Sequence, residues 1–421
     1  MTVLSRRTAV VVFLAFAFAY FFSALVRAIT ATLAPTLTQE FALSASDLGL
    51  LAGGYFFGFA ATQLPLGPLL DRHGPKKVIL SFLLIAVAGC LAFSMATNFQ
   101  SLLAARVLCG VGVSACLMAP LTGFRRWLRP TVQLRANSWM LMTGSFGMVA
   151  STLPVQWLMP MTGWRPLFWG LAALICVAML IILWKVPPWV SPSTNPEDEL
   201  TFSLTPPLPH QGAGSRSGYS EVWKHPYFRR MTPIGFFNYG GMIAVQTLWA
   251  GPWMVRVAGY APLEAAAGLF IINVAMLFTF WGWGILNPWL AGRELTTERL
   301  IAWGLPLSFL VLATIIIAGT GAGAWAWAVF CMTSTFVALA QPAVCMVFPP
   351  ALAGRALTAY NLVIFGGIFV VQWGIGLMID GFTAAGLAEV ASFRAAMAVF
   401  LLCSMASYGY FLMAKSHNQP Q

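Results

Sequence analysis

The sequence predicts an all-α membrane protein, with twelve transmembrane helices as two six-helix bundles related by pseudo-two-fold symmetry. Of its 421 residues, 59% are hydrophobic and only 8% are charged, whereas about 25% of the residues of a soluble domain are charged. Twelve apolar runs are long enough to cross a hydrocarbon core of about 30 Å. One long polar segment divides these runs six and six. A soluble protein is therefore excluded.

The apolar runs and the turns between them define the predicted helices. Two pairs of runs nearly fuse, and turn signals at Thr97-Asn98 and in the glycine-rich residues 319–323 separate them. The predicted spans are residues 9–34, 48–70, 76–97, 99–124, 134–158, 164–186, 231–254, 264–290, 298–319, 322–348, 355–380 and 389–414. The proline-rich and glycine-rich residues 187–228 are predicted to form a flexible linker between an N-terminal bundle, residues 1–186, and a C-terminal bundle, residues 229–421.

Lysine and arginine are distributed unequally between the two sides of this topology. With the N-terminus in the cytoplasm, 18 of the 23 basic residues fall on the cytoplasmic side and three on the other side. Positive residues are enriched in cytoplasmic loops, so the sequence predicts a protein of the cytoplasmic (inner) membrane with both termini and the linker in the cytoplasm. Arg6 and Arg7 are expected to anchor an uncleaved first helix, because the run after them is longer than the apolar region of a signal peptide.

The positions of reactive side chains argue against several other classes. No Asp or Glu lies at the middle of a predicted span and all four histidines lie in loops or tails, so an intramembrane enzyme would lack its catalytic groups. The seven cysteines lie in apolar runs without a histidine beside them, which indicates neither a disulfide framework nor a metal site. The net charge of +11 follows the topology and comes with no nucleic-acid-binding motif. We expect no enzyme activity, no cofactor, no metal and no nucleic acid, and a monomer whose partners are the lipid bilayer and a small-molecule substrate.

Arg27, in the first span, is the leading candidate for a binding residue. An ionised side chain at a span centre costs about 2.5–3.5 kcal/mol, so it is expected to face a polar cavity or a partner. Helical spacing places it on one stripe with small and polar residues, namely Tyr20, Ser23 and Thr30. The alternative is a structural role in which Arg27 pairs with Glu40 or Asp47 near the outer face.

A charged island, residues 67–77, lies between the second and third spans and is predicted to form a cytoplasmic hairpin. Its glycines, acid-base pair and basic run have a fixed order, Gly67, Asp71, Arg72, Gly74, Lys76 and Lys77. This order resembles the signature loop of the major facilitator superfamily of transporters, although Pro75 stands where a basic residue is usual. The resemblance implies that these residues take part in gating. In particular, it implies that Asp71 helps to close the cytoplasmic side by meeting the start of the eleventh helix, near residues 354–358.

Two further features resemble the same superfamily. Arg106 is followed by Gly110 and Gly112, as in the fourth-span pattern in which glycines allow close helix packing. The family often places that arginine near the substrate or in coupling, and a purely structural role is equally open. The two halves also match at an offset of 217 residues, as parallel repeats do, which places Pro35 on Pro252 and Gly67 on Gly284.

The resemblance implies a secondary or facilitative transporter that moves a small solute by alternating access. Arg27 and Arg106 lie at one depth, about 10 Å from the outer ends of spans that this fold brings together, so they favour an organic anion. The other cavity candidates are Tyr20, Ser23, Thr30, Asn238, Gln246, Tyr360 and Asn361. A multidrug or metabolite efflux antiporter is the alternative, although the fifth span lacks the Gly-Pro pairing typical of drug antiporters. A non-transporting membrane receptor is the alternative from another class.

The charge distribution makes a prediction about topology. Reporters fused after Lys185 and after Lys415 are expected to be cytoplasmic, whereas reporters at Arg165 and Gly386 are expected to be outside, because the positive residues follow that pattern. Alkaline phosphatase and fluorescent-protein fusions measure this. Access to residues 187–228 from outside would contradict both the orientation and the count of twelve spans.

Overall fold

The computed structural model describes residues 4–189, 215–291 and 295–414, and in those ranges the chain forms helices joined by short turns, without a strand. Most of the predicted linker lies outside the described residues. The α-helices are α1 (Arg6–Phe41), α2 (Ala45–Ala61), α3 (Gln63–Ser94), α4 (Phe99–Val113), α5 (Ala115–Trp127), α6 (Pro130–Ala150), α7 (Leu153–Thr162), α8 (Trp164–Lys185), α9 (Ser215–Lys224), α10 (Pro226–Pro233), α11 (Gly240–Ala244), α12 (Ala250–Arg256), α13 (Pro262–Ala291), α14 (Thr297–Ala318), α15 (Ala324–Ser334), α16 (Ala340–Val347), α17 (Pro350–Ala384) and α18 (Glu389–Met413).

These helices account for all twelve predicted spans. Within the described ranges, nine helical segments are long and apolar enough to cross a membrane. The other three spans are built from shorter pieces: α2 with the start of α3, α6 with α7, and α10 to α12. In the last of these, π-helical turns at Ile234–Tyr239 and Val245–Trp249 interrupt the α-helix. Such turns are frequent at functional sites.

The predicted hairpin forms at Gly74, where the helical path of α3 is broken. Gly74 has φ 77° and ψ 162°, a conformation that is costly for any residue with a Cβ atom. A Cβ at Gly74 would lie 2.2 Å from a ring carbon of Trp189. The Lys76 ammonium donates a 2.8 Å hydrogen bond to the carbonyl of Val186. The segment that follows α8 therefore packs onto the hairpin and fixes it.

Glycines let the helices of the N-terminal half approach backbone to backbone. A Cβ at Gly110 on α4 would lie 1.9 Å from the carbonyl oxygen of Tyr55 on α2, and one at Gly58 would lie 2.3 Å from the carbonyl oxygen of Val107. On the other face of α4, a Cβ at Gly112 would lie 2.1 Å from the amide nitrogen of Ala86. Such close contacts replace the hydrophobic driving force that is missing between helices in lipid.

The two halves also meet backbone to backbone, at the end of the molecule opposite the hairpin. A Cβ at Gly49 on α2 would lie 2.4 Å from the carbonyl oxygen of Gln372 on α17, and one at Gly376 would lie 2.3 Å from that of Ala45. Gly251 on α12 similarly faces the carbonyl oxygen of α1 residue Ala31, at 3.1 Å. This end of the interface is therefore tightly closed.

We expect Gly110→Ala to destabilise the protein by about 1–3 kcal/mol, because the added methyl group forces α2 and α4 apart. The matched control is Gly170→Ala on α8, where a Cβ meets no atom within 4 Å. Thermal unfolding of the purified variants, followed by tryptophan fluorescence, measures both. An unchanged midpoint for Gly110→Ala would contradict the close packing.

Candidate functional site

Arg27 of α1 lies among aromatic side chains from both halves of the molecule. Its guanidinium neighbours the hydroxyl groups of Tyr20 and Tyr55, and Tyr239 of the C-terminal half is also within electrostatic range. The Arg27 Cζ atom is 6.0 Å from the centroid of the Phe59 ring. Tyr20, Tyr55 and Phe59 are buried, whereas Arg27 and Tyr239 are partly accessible. The arginine side chain is therefore partly accessible and has aromatic rings beside it.

No carboxylate in the described part of the chain pairs with Arg27. Its Nε atom has no hydrogen-bond partner, and it takes part in none of the ion pairs there. The acidic partners considered from the sequence are engaged elsewhere. Glu40 accepts hydrogen bonds from Trp164 at 2.6 Å and Arg165 at 2.5 Å, and Asp47 caps the N-terminus of its own helix, α2. Among the described residues, the charge of Arg27 therefore has no acidic partner.

Arg106 of α4 is held by main-chain hydrogen bonds, although its Nε atom, like that of Arg27, has no hydrogen-bond partner. It is fully buried, and its two terminal nitrogens donate hydrogen bonds to main-chain carbonyls of α1, Val26 at 2.8 Å and Arg27 at 3.1 Å. The ring centroid of Tyr55 lies 4.9 Å from its Cζ atom, and the Tyr55 hydroxyl donates to the carbonyl of Ser23 at 3.3 Å. Arg106 therefore braces the main chain of α1 at the position that carries Arg27.

The other residues of the predicted α1 stripe are buried beside Arg27. Tyr20 is 5% exposed, and Ser23 and Thr30 are each 1% exposed. The Ser23 hydroxyl donates a long 3.5 Å hydrogen bond to the carbonyl of Val113. Gly144 of α6 makes room for Tyr20, since a Cβ at Gly144 would lie 2.6 Å from that ring. The stripe is thus packed against α4 to α6, and Arg27 alone in it keeps a partly accessible side chain.

Four candidates lie in the C-terminal half, Asn238, Gln246, Tyr360 and Asn361, and all four are buried. The Asn238 amide donates to the Ser404 carbonyl and to the Ser407 hydroxyl. The Gln246 amide donates to the side-chain oxygen of Asn273, and the Tyr360 hydroxyl donates to the carbonyl of Met231. The side-chain oxygen of Asn361 accepts a hydrogen bond from Gln341. These bonds all lie within the C-terminal half. No described contact joins any of these side chains to Arg27.

The sequence did not point to Tyr55, Phe59 and Tyr239 as neighbours of Arg27. The signal for two of them was present, because Tyr55 and Phe59 are four residues apart and so share one face of α2. Across the bundle interface, Phe59 packs on Phe365 of α17 with ring centroids 4.3 Å apart. The aromatic wall of the site therefore continues from α2 into the C-terminal half.

The hairpin residues predicted to act in gating fall into two groups. Gly74 and Lys76 pack against the segment after α8. Asp71, Arg72 and Lys77 have exposed side chains, and a Cβ at Gly67 would meet no atom within 4 Å. Within the described ranges, Asp71 makes no hydrogen bond or ion pair, so it does not cap the start of α17 in this structure.

Comparison with known proteins gives a family, several transporters and a shared fold. A model of the Major Facilitator Superfamily matches residues 16–372. The chain is 27% identical over 284 residues to the 4-hydroxybenzoate transporter PcaK of Acinetobacter baylyi, with 61% of each chain covered. It is 27% identical over 279 residues to a gallate transporter of Pseudomonas putida, again with 61% of each covered. A probable sulfoacetate transporter, SauU of Cupriavidus necator, is 25% identical over 248 residues, with 57% of this chain and 56% of SauU covered.

These matches span about three fifths of the length of the curated relatives. Among solved structures, a bacterial homologue of the human lysosomal transporter Spinster aligns with a TM-score of 0.79 at 16% identity, covering 97% of both chains. A D-xylose-proton symporter aligns with a TM-score of 0.74 at 14% identity, covering 97% of this chain and all of the symporter. At these identities the structures establish the shared fold.

The two arginines are expected to respond differently to substitution. Arg106→Met removes two charge-assisted hydrogen bonds to α1 and should lower the free energy of unfolding by about 1.5–3 kcal/mol. Arg27→Gln should leave stability nearly unchanged, since no protein carboxylate is left unpaired. Thermal unfolding without ligand compares the two variants. A larger loss of stability for Arg27→Gln than for Arg106→Met would show that Arg27, and not Arg106, has the structural role.

Proposed function

The chain belongs to the major facilitator superfamily, and from this premise we propose that it carries a small organic anion across the membrane by alternating access, with Arg27 binding the anionic group. Membership and the shared fold confirm the predicted architecture of twelve helices in two six-helix bundles. The family and the relatives are transporters, which also confirms the prediction that the chain is not an enzyme. The substrates named for three relatives, 4-hydroxybenzoate, gallate and sulfoacetate, are all carboxylates and support an anionic solute.

The observation that carries this proposal is the environment of Arg27. A cationic side chain at membrane depth needs a compensating partner, and the described residues supply hydroxyl groups and rings but no carboxylate. The planar fork of an arginine matches the two oxygens of a carboxylate and forms two parallel hydrogen bonds with them. A solute carboxylate would therefore complete the site.

The rings around Arg27 favour a planar aromatic carboxylate over an aliphatic one. Tyr20, Tyr55 and Phe59 lie beside the guanidinium, and Tyr239 is within electrostatic range of it. Aromatic rings prefer offset-stacked or edge-to-face contacts with another ring. The hydroxyl groups of Tyr20 and Tyr239 can also donate hydrogen bonds to a carboxylate or to ring hydroxyls, whereas that of Tyr55 already donates to the carbonyl of Ser23. Charge is then recognised by Arg27, and shape by the rings.

The proposal includes an orientation and a gating cycle. The hairpin end, both termini and the linker are placed in the cytoplasm, in accord with the distribution of Lys and Arg. Residues 1–186 and 229–421 rock against each other around Arg27. Asp71 meets the start of α17 only when the cytoplasmic side closes, and its exposed side chain here corresponds to an open cytoplasmic side.

Coupling to a resident protonatable carboxylate has no support at the site. None of the acidic residues of the sequence lies at the middle of a span. The proposal therefore favours exchange, facilitated diffusion, or transport in which the proton travels on the anion itself. Uptake measured with and without a counter-anion inside the vesicle separates exchange from the other two modes.

The substrate site is tested with 4-hydroxybenzoate and its neutral analogue 4-hydroxybenzamide. Wild-type protein should bind the acid and not the amide. Arg27→Lys should weaken binding because a lysine ammonium lacks the planar pair of N–H donors of a guanidinium. Arg27→Gln should weaken binding roughly 10- to 100-fold, as expected for lost hydrogen bonds to a charged group. Calorimetry on purified protein and uptake into proteoliposomes measure binding and transport.

The control for this experiment is Arg256→Gln. Arg256 is exposed at the last residue of α12 and pairs with Glu389 at 3.6 Å, at the outer end of the span that carries Tyr239. The Arg256→Gln variant should bind and transport 4-hydroxybenzoate as the wild-type protein does. Full activity of Arg27→Gln, or a preferred ligand that is a cation, would overturn the anion proposal.

A further inference from the structure

We propose that Asp380 is a gate residue that latches the outer side of the transporter. It lies near the C-terminal end of α17, in the C-terminal half. Its Oδ1 atom accepts a 3.1 Å hydrogen bond from the main-chain N–H of Ala45, and its Oδ2 atom accepts a 2.8 Å hydrogen bond from that of Ser46. Both donors belong to the first turn of α2, in the N-terminal half. One carboxylate thus joins the two halves directly.

The physical basis of the latch is the start of a helix. The first N–H groups of α2 have no partner inside the helix, and the aligned peptide dipoles give this end a partial positive charge. A carboxylate that accepts two of these N–H groups is favoured by both effects. Since Asp380 belongs to the other bundle, these two hydrogen bonds stabilise the protein only when the bundles are in contact on the outer side.

Close helix packing places the carboxylate within reach. Next to the latch, Gly49 of α2 lies against the main chain of Gln372, and Gly376 of α17 lies against the main chain of Ala45. A Cβ at either glycine would come within 2.4 Å of a carbonyl oxygen. Separation of the bundles by even a few ångströms would break both Asp380 hydrogen bonds, because these weaken steeply beyond ordinary donor–acceptor distances. The contact is therefore specific for the outward-closed state.

The latch lies beside the cap that starts α2, and the side chains of Ser44 and Ser46 are also close enough to hydrogen-bond the Asp380 carboxylate. The Ser44 side chain accepts a 3.1 Å hydrogen bond from the N–H of Asp47, and the Asp47 carboxylate accepts one of 3.1 Å from the N–H of Ser44. This capping box lies wholly inside the N-terminal half. Asp47 and Asp380 therefore act on the same helix end, but Asp380 alone crosses the bundle interface. The pair provides a matched comparison.

The inference rests on alternating access in the proposed function, and it is independent of which solute is carried. The distance between Thr97 and Thr320 reports on the outer side. Both side chains are exposed, on turns of the N-terminal and C-terminal halves at the end opposite the hairpin. Spin labels at these sites, in full-length protein whose seven native cysteines are replaced, give the populations of closed and open states by double electron–electron resonance without any solute.

Asp380→Asn should raise the ratio of outward-open to outward-closed protein roughly tenfold, because the charge that favours the helix end is lost. Asp47→Asn should leave the ratio at the wild-type value. An unchanged distance distribution for Asp380→Asn, or an equal shift for Asp47→Asn, would overturn the latch. A defect in solute binding with the latch intact would instead bear on Arg27, so the two proposals fail separately.

A second variant tests the donor side. Ala45→Pro removes one N–H that Asp380 accepts, and proline is well tolerated at the first helical position. Ser44 already has φ −70° and ψ 172°, a conformation compatible with a following proline. Ala45→Pro should also increase the open population, and its effect should be smaller than additive with Asp380→Asn, since the two changes remove the same contact. Full additivity of the two shifts would contradict the shared contact.

Discussion

The cost of placing positive charge inside a membrane governs how this molecule is built. Two arginines, Arg27 and Arg106, lie at one level of the N-terminal half, and the structure satisfies them in different ways. Arg106 is buried, and its two terminal nitrogens donate hydrogen bonds to two main-chain carbonyls of α1. Arg27, whose own carbonyl is one of those acceptors, keeps a partly accessible side chain that has no acidic partner among the described residues. The buried arginine therefore fixes the helix from which the other can meet an anion.

Glycine determines where rigid and separable contacts lie. On α4, Gly110 and Gly112 pack against main chain on both sides, which makes the N-terminal half a firm support for Arg27. Across the bundle interface, Gly49 and Gly376 allow an equally close approach, but that contact joins halves that must part in an alternating-access cycle. Hydrogen bonds from α2 to Asp380 then make the closed arrangement a discrete state rather than one of many similar packings.

Much of the architecture followed from the sequence because hydropathy, charge and turn residues act locally. They located the twelve spans, the hairpin of residues 67–77 and the arginines. The partners of those arginines depend on helix rotation and on contacts between distant segments, which periodicity does not encode. Thus Arg106 bonds to main-chain carbonyls that carry no sequence signal, and Tyr239 joins the site from a span interrupted by π-helical turns. The amide side chains of Asn238 and Gln246, which are predicted cavity residues, bond to neighbours in their own half.

In the proposed cycle, the guanidinium of Arg27 binds the charged group of the carried solute between the two bundles. The most direct measurement is a crystal structure of the protein with 4-bromobenzoate, in which anomalous scattering locates the bromine and so fixes the direction of the ligand. We expect the carboxylate to lie about 2.7–2.9 Å from the Arg27 nitrogens, as in charge-assisted pairs, with the ring among Tyr20, Tyr55 and Phe59. A ligand bound elsewhere in the interface, without contact to Arg27, would show that Arg27 is not the anion-binding residue.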